Sequence, residues 1–404
     1  MRRTTPRYAT VAVLLVIVGL FGTGCGGSST GSKSSAKRDR TSSTDAGATA
    51  TTDATGDSDS DGSGDDGGAN GTGGSGSAGT KVPKIDNAAL VGTLNGSGSS
   101  FQDVFQQKAR TEFTKAAPRV KVNYNKSGSA AGKQDLAGGV VQFAGTDSLI
   151  SDADLASFKG GKVLYFPVVA APITVSYNLD GVEELQLSPN TIAGIFQGQI
   201  TKWNDAKIQA DNRDAELPGT AIVVVRRSDG SGTTANFTKW LTAAATNWSL
   251  GSGDTVQWPS STQGAEKSSG VAALVAGTKG AIGYVDIADA VAAKLRFAKV
   301  RNAAGKYIEA TLDTAGAALE GTALETNLTY DPLNAPGDTA YPITAPTWIV
   351  VYKTQPSAAV ADALKGYVTY LLTAGQDLAK SVGYARLPEI MVDAALAQVS
   401  QISA

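Results

Sequence analysis

The sequence predicts an α/β fold of two lobes, and three observations lead there. From residue 91 onward, strand-like apolar runs alternate with stretches of helical periodicity. Three of these runs pass directly into glycine- and hydroxyl-rich loops that open helices. Roughly 320 residues follow the low-complexity N-terminal region, more than one core usually holds, since single cores stop growing near about 250 to 300 residues.

At the N-terminus, Arg2, Arg3 and Arg7 precede an apolar run over residues 11–21, short for a membrane span and suited to a signal-peptide core. Gly-Thr-Gly then leads to Cys25, the one cysteine of the 404 residues. Small residues before a lone cysteine resemble a lipoprotein processing site. Residues 1–24 therefore read as a signal peptide and Cys25 as a lipidation site, with an ordinary signal peptide and an incidental cysteine as the alternative. A diacylglycerol on Cys25 would hold the protein at the outer face of the cytoplasmic membrane. No internal disulfide can form. Residues 25–82 are mostly glycine, serine, threonine, aspartate and alanine, and cannot bury enough apolar surface to fold. They read as a disordered tether, with a reach on the order of 40 Å. Asp57, Asp59 and Asp61 imitate the start of a calcium loop, but Gly68 stands where the closing glutamate belongs, so no metal is expected.

The folded part begins with a run that reaches Asn-Gly-Ser-Gly-Ser-Ser at 95–100. Phe101, Val104, Phe105, Ala109 and Phe113 then recur at helical intervals, which places a helix start near Phe101. A strand and loop over 120–129 end on Gly128 and Ser129 and lead to a second helix start. A strand-like run at 140–144 ends on Gly145, Thr146 and Asp147. Further strands are expected at 163–177, 222–226 and 347–352, and residues 357–402 are largely helical by periodicity.

The strand at 222–226 carries the most chemistry, because it ends in Arg227 and then Asp229, Gly230, Ser231, Gly232 and Thr233 at a helix start. A helix start offers unpaired N–H groups and the positive end of the helix dipole. Glycine allows close backbone approach, and Ser231 and Thr233 add hydroxyl donors. Arg227 would supply a single full positive charge. Three donor-rich helix starts and one lone carboxylate, Asp147, suit a protonated oxyanion. Each residue also has a plainer reading: Asp147 as an Asx-turn residue, Arg227 as a solvated cation, Asp229 as a turn residue and Phe101 as core. Trp203 and Tyr284 read as packing.

At these residues the chain resembles the periplasmic or lipid-anchored phosphate-binding proteins that feed high-affinity phosphate ABC transporters. The resemblance runs from about Leu94 to the end. It includes Gly-Ser-Gly-Ser-Ser-Phe at 96–101, Gly-Thr-Asp at 145–147, Gly-Gln-Ile-Thr-Lys-Trp-Asn at 198–204, Val-Arg-Arg-Ser-Asp-Gly-Ser-Gly-Thr at 225–233, Gly-Ala-Ile-Gly-Tyr at 280–284 and Gly-Tyr-Ala-Arg-Leu-Pro at 383–388. It implies a bilobal periplasmic-binding-protein-like fold of type II, two α/β lobes with a hinge and a ligand cleft. Lobe 1 would comprise residues 83–168 plus 340–404, and lobe 2 residues 169–339. Phosphate would be held by Ser100, the backbone of Phe101, Ser129, Asp147, Arg227, Ser231, Gly232 and Thr233, with Asp229 orienting Arg227. The implied partners are inorganic phosphate and the permease subunits of an ABC transporter with their ATPase, and the protein would be a monomer needing no cofactor. Ser100 stands where the family often has threonine, Gln102 where proline is common and Gln142 where aspartate is frequent.

Specificity would rest on Asp147. An ionised carboxylate only accepts hydrogen bonds, and phosphate near neutral pH still has a proton to donate whereas sulfate has none. A site that loses a required hydrogen-bond partner can discriminate by roughly 10⁴ to 10⁵.

The composition weakens the case for enzymes. There is no histidine, which removes the commonest general base and every His-containing triad or metal site. Residues 128–134 are one short of a P-loop and place Gln134 where a magnesium-binding Ser or Thr belongs. A net charge of -2 leaves no electrostatic footprint for nucleic acid. The expectation is extracytoplasmic phosphate binding and delivery to an importer, not catalysis. The alternatives are a binding protein for arsenate, sulfate or molybdate, and a phosphate sensor or surface module without a permease.

Overall fold

The computed structural model describes residues 82–404. The signal peptide, Cys25, the tether and the calcium-like loop lie outside the described residues.

The chain opens with three parallel strands joined by helices: β1 (Gly92–Gly98), α1 (Asp103–Ala116), β2 (Val120–Asn125), α2 (Ser129–Ala137) and β3 (Phe143–Thr146). A short α3 (Asp152–Leu155) leads to β4 (Val163–Tyr177), buried along almost its whole length. Then come β5 (Gln186–Leu187), α4 (Pro189–Phe196), α5 (Ala206–Asp211), β6 (Val223–Arg227), α6 (Gly232–Ala244), β7 (Gln263–Ala265), α7 (Lys267–Gly277) and β8 (Ala281–Asp286). The chain continues through α8 (Ile287–Ala292), β9 (Arg296–Phe297), β10 (Lys299–Arg301), β11 (Tyr307–Ile308) and α9 (Leu312–Leu319). It closes with β12 (Thr344–Tyr352), α10 (Ala358–Leu372), α11 (Ala374–Ala379) and α12 (Glu389–Val399).

The main sheet runs β2-β1-β3-β12-β4-β8-β6-β7, with β9 also on β4; β11, β10 and β5 form a small separate sheet. Strand β4 joins two halves. Its residues Val163–Pro172 pair with β12, and Ile173–Tyr177 pair with β8. The parallel strands of each half, β1 to β3 and β6 to β8, are linked by helices that cover the sheet, as parallel pairing requires. The C-terminal ends of β1, β2, β3 and β6 all lead into loops or helix starts, and in open α/β sheets this is the edge where ligands bind.

Two expected boundaries moved. The first helix begins at Asp103, because residues 99–102 form a turn around the Ser99 hydroxyl, which accepts from the Phe101 N–H at 3.0 Å. The strand expected at 140–144 begins only at Phe143. Pairing with β1 starts there, while Val140 is exposed and the Gln142 side chain instead accepts from the Asn95 N–H at 2.9 Å.

Candidate functional site

Asp147 follows β3 and is 2% exposed. Its Oδ1 accepts from Ser99 and Thr347, each at 2.7 Å, and its Oδ2 accepts from Ser99 at 2.6 Å and Ser129 at 3.2 Å. Burial pushes the carboxyl up to about 6, against the opposing effect of the Ser99, Thr347 and Ser129 hydroxyls and of Arg227. A carboxylate so fully supplied with donors stays ionised at neutral pH although it is buried. Thr347 reaches it from the register shift in β12 between Thr347 and Trp348, an irregularity of the kind that re-aims a side chain beside a site.

Arg227 ends β6 and is almost fully buried. Its Nε donates to Asp229 Oδ1 at 2.8 Å and one terminal nitrogen, Nη2, donates to Oδ2 at 2.7 Å, a two-pronged contact that fixes the guanidinium plane. The Arg227 N–H donates to the Tyr284 hydroxyl at 3.1 Å, and that hydroxyl lies 2.7 Å from Thr234 Oγ1. Tyr284 therefore does more than pack: it pins the backbone that carries the arginine. Lys267 Nζ is 2.8 Å from Asp229 Oδ2, so the expected single cation belongs to an Arg227–Asp229–Lys267 cluster. Burial works to raise the Asp229 carboxyl, but the Arg227 bonds and charge, with Lys267, outweigh it and hold it well below the usual carboxylate range.

Ser231 caps α6, its Oγ accepting from the Thr234 N–H at 3.2 Å. The Gly232 and Thr233 amides occupy the first turn and have no partner within the helix. Among the described residues, Thr233 Oγ1 is buried with no hydrogen-bond partner. A buried orphan hydroxyl at a helix start is a ready donor to an anion.

The loops from the two sheet halves meet closely. A Cβ added to Gly128 would lie 3.7 Å from Arg227 Nη2, and one added to Gly230 would lie 2.5 Å from the Ala130 Cβ. Ser100 Oγ faces Ser268 Oγ at 3.3 Å and accepts from the Ser268 N–H at 3.3 Å, which brings in a fourth helix start, that of α7. Of the residues predicted for the site, Gly232 meets Ser129 and Asp147, Arg227 and Asp229 approach Gly128, and Ser100 meets Ser268. Phe101 differs in detail: its N–H is engaged by Ser99 rather than left free. Sequence reasoning missed Ser99, Thr347, Asn236 and Ser268. Asn236 Nδ2 donates to the Asp147 carbonyl and, at 2.9 Å, to the Gly232 carbonyl, tying β3 to α6.

A cavity of about 580 Å³ borders Asp147 and Ser148 on the side facing α6 and residues 320–336. It carries Glu320, Glu325 and Asp331, with Lys239 already paired to Asp331 at 2.8 Å. That charge is wrong for an anion. The donors lie elsewhere, around Arg227 and the start of α6, where Gly232 approaches Asp147.

Residues 86–374 match the family model described as a PBP superfamily domain. The phosphate-binding protein PstS of Pasteurella multocida is 33% identical over 312 residues, 76% of this chain and 89% of that protein. PstS3 of Mycobacterium bovis, also a phosphate-binding protein, is 36% identical over 311 residues, 74% of this chain and 83% of that protein. A high affinity periplasmic phosphate-binding protein solved with phosphate aligns at a TM-score of 0.64 and 20% identity, over 76% of this chain and 94% of that one. A phosphate-binding protein from Stenotrophomonas maltophilia aligns at 0.56 and 23% identity, over 76% of this chain and 93% of that one. The structural likenesses bear out the expected α/β, periplasmic-binding-protein-like fold. With a family model spanning most of the chain and relatives covered over more than four-fifths of their length, the chain belongs to the phosphate-binding protein family of the PBP superfamily.

Proposed function

We propose that the protein binds inorganic phosphate outside the cell and delivers it to an ABC-type importer. The observation that carries this reading is that Asp147, a buried acceptor, lies against Gly232 at the start of α6, where Thr233 offers an unpartnered hydroxyl and the Arg227 charge is near enough to act on the carboxyl. Phosphate with one proton satisfies both sides: its oxygens accept from the donors and its hydroxyl donates to Asp147. The ligand set is Ser100, Ser129, Asp147, Arg227, Ser231, Gly232 and Thr233, with the Phe101 N–H joining it by exchanging the Ser99 hydroxyl for a phosphate oxygen, and with Asp229 as the positioning residue for Arg227.

Residues 83–168 with 340–404 form one lobe and 169–339 the other. A change of partner along β4 supports a division within this strand, four residues beyond that boundary: residues 163–172 pair with β12 and residues 173–177 with β8. Cys25 carries the lipid that keeps the protein at the outer face of the membrane, where a monomer presents phosphate to the permease and its ATPase. The role is binding, and the absence of histidine from the chain supports it over catalysis.

Loss of the gene should abolish high-affinity phosphate uptake, and the wild-type gene should restore it where Arg227→Ala does not. Cys25→Ala should release the protein from the membrane fraction. Unchanged uptake in the deleted strain would remove the transport reading.

A further inference from the structure

We propose that Asp254 is a positioning residue for anion retention, the link that holds the loops of the two sheet halves together over the ligand. The proposal rests on the phosphate reading above and adds to it a residue outside the ligand set.

Asp254 lies between α6 and β7, far in sequence from the β1–β3 half. Its backbone oxygen accepts from the Ser231 N–H at 2.9 Å, which fixes the cap of α6. Its side chain reaches the other half. Oδ1 accepts from Ser148 Oγ at 2.6 Å, and Oδ2 stands 2.8 Å from Lys133 Nζ. Lys133 lies one turn into the helix that Ser129 begins, and it also donates to Ser148 Oγ at 3.0 Å and the Leu149 carbonyl at 3.1 Å. One aspartate therefore touches the loop of Ser231, the residue after Asp147 and the helix of Ser129.

This is not an ordinary surface ion pair. The Lys133 and Asp254 side chains are only 10% and 18% exposed, and each has further partners, so the pair is poorly screened and geometrically fixed. Its charges cancel locally, so the pair adds no net charge beside the anion.

The two sides of the contact come from different sheet halves, so a hinge motion that parts those halves would break it. A bond present in the closed state and absent from the open one slows ligand release and leaves capture nearly unchanged.

The test is rapid mixing of the protein with inorganic phosphate, for wild type, Asp254→Ala, Lys133→Met and the double variant, with thermal melting in the absence of phosphate. Asp254→Asn, which keeps the side chain's shape, stands in if Asp254→Ala does not fold. Release should quicken about ten-fold or more in each single variant, the expected loss for a hydrogen-bonded charged pair. Association should change less than about two-fold, and the double variant should be no faster than the singles, because the two residues act as one unit. The melting midpoint without phosphate should hold. Wild-type release rates in the variants would overturn the role of Asp254 while phosphate binding stands. Additive effects with a lowered midpoint would also overturn it, by reducing both residues to general stabilisers. Absence of any phosphate signal from the wild type would overturn the function and this inference together.

Discussion

A methyl group on Gly232 would lie 2.7 Å from the Cβ of Asp147 and 2.8 Å from its Oδ2, so the start of α6 and the end of β3 are in contact with only a hydrogen between them. The same methyl would stand 2.6 Å from Ser129 Oγ. Gly232 has no unusual backbone angle, so the requirement is one of space. Gly232→Ala should leave the fold intact at a cost of about 1 to 3 kcal/mol, since the methyl must displace the Ser129 hydroxyl or Asp147. It should weaken phosphate binding at least roughly ten-fold by holding the loops apart. Calorimetry alongside a urea melt separates the two effects, and wild-type affinity would contradict the close apposition.

Thr347 acts on Asp147 from β12 and is otherwise a buried strand residue. Thr347→Val keeps the shape and removes one of the donors to Oδ1. The loss should cost about 1 kcal/mol of stability or more and raise the Asp147 carboxyl further. Phosphate affinity should fall modestly. The better readout is sulfate rejection at neutral pH, which should weaken as Asp147 gains a proton.

The pH dependence follows from the same carboxyl. Asp147 sits at about 6 in the fold, above its ordinary value of 3.8, so it is ionised at pH 8 and largely protonated at pH 5. Once protonated it can donate a hydrogen bond, and the ground for rejecting sulfate is lost. The ratio of sulfate to phosphate affinity should therefore rise as pH falls through about 6. For the ligand-free fold the sign is fixed by linkage. The folded state holds a proton that the unfolded chain releases, so this group's contribution to stability falls as pH rises between about 4 and 6. Asp147→Asn should accordingly gain stability relative to wild type over that interval, measured by urea unfolding at each pH.

Asp229 should matter through Arg227. Asp229→Asn keeps the volume but leaves the buried guanidinium without its charged partner, and should cost on the order of 3 kcal/mol in stability or binding together. Phosphate affinity should fall more than the association rate, because the arginine is misoriented and not removed. An affinity equal to wild type would show that Lys267 or the loop backbone fixes Arg227 without Asp229.

The strand-to-helix junctions were legible in the sequence because the residues that make them are the residues that carry their chemistry. Glycine marks the close approach, serine the cap and Arg227 the charge. The long apolar run at 163–177 was legible too, and became β4. What the sequence did not reveal is the set of groups that act across the chain. Ser99 looked like another loop serine beside Ser100, yet it is Ser99 that bonds both oxygens of Asp147. Thr347 lies in a strand whose face toward Asp147 is set by a register shift, and no local pattern signals such a shift. Asn236 sits inside a helix and Ser268 at the start of another, each with its partner far away in sequence. The bilobal division came from family resemblance, since a single strand that changes partners midway reads in sequence as one continuous apolar run.

If Asp147 selects a protonated oxyanion, calorimetric titration of the phosphate-stripped protein with phosphate and with sulfate, in wild type and in Asp147→Asn, should reveal it. Wild type should bind phosphate tightly and give no heat with sulfate. Asp147→Asn should bind phosphate more weakly and narrow the gap between the two anions by at least roughly a hundred-fold, since the loss removes both an acceptor and a repulsive charge. Undiminished sulfate rejection in Asp147→Asn would contradict the role given to the carboxylate, and no phosphate heat from the wild type at any concentration up to about millimolar, where binding would be only about 4 kcal/mol, would contradict the function itself.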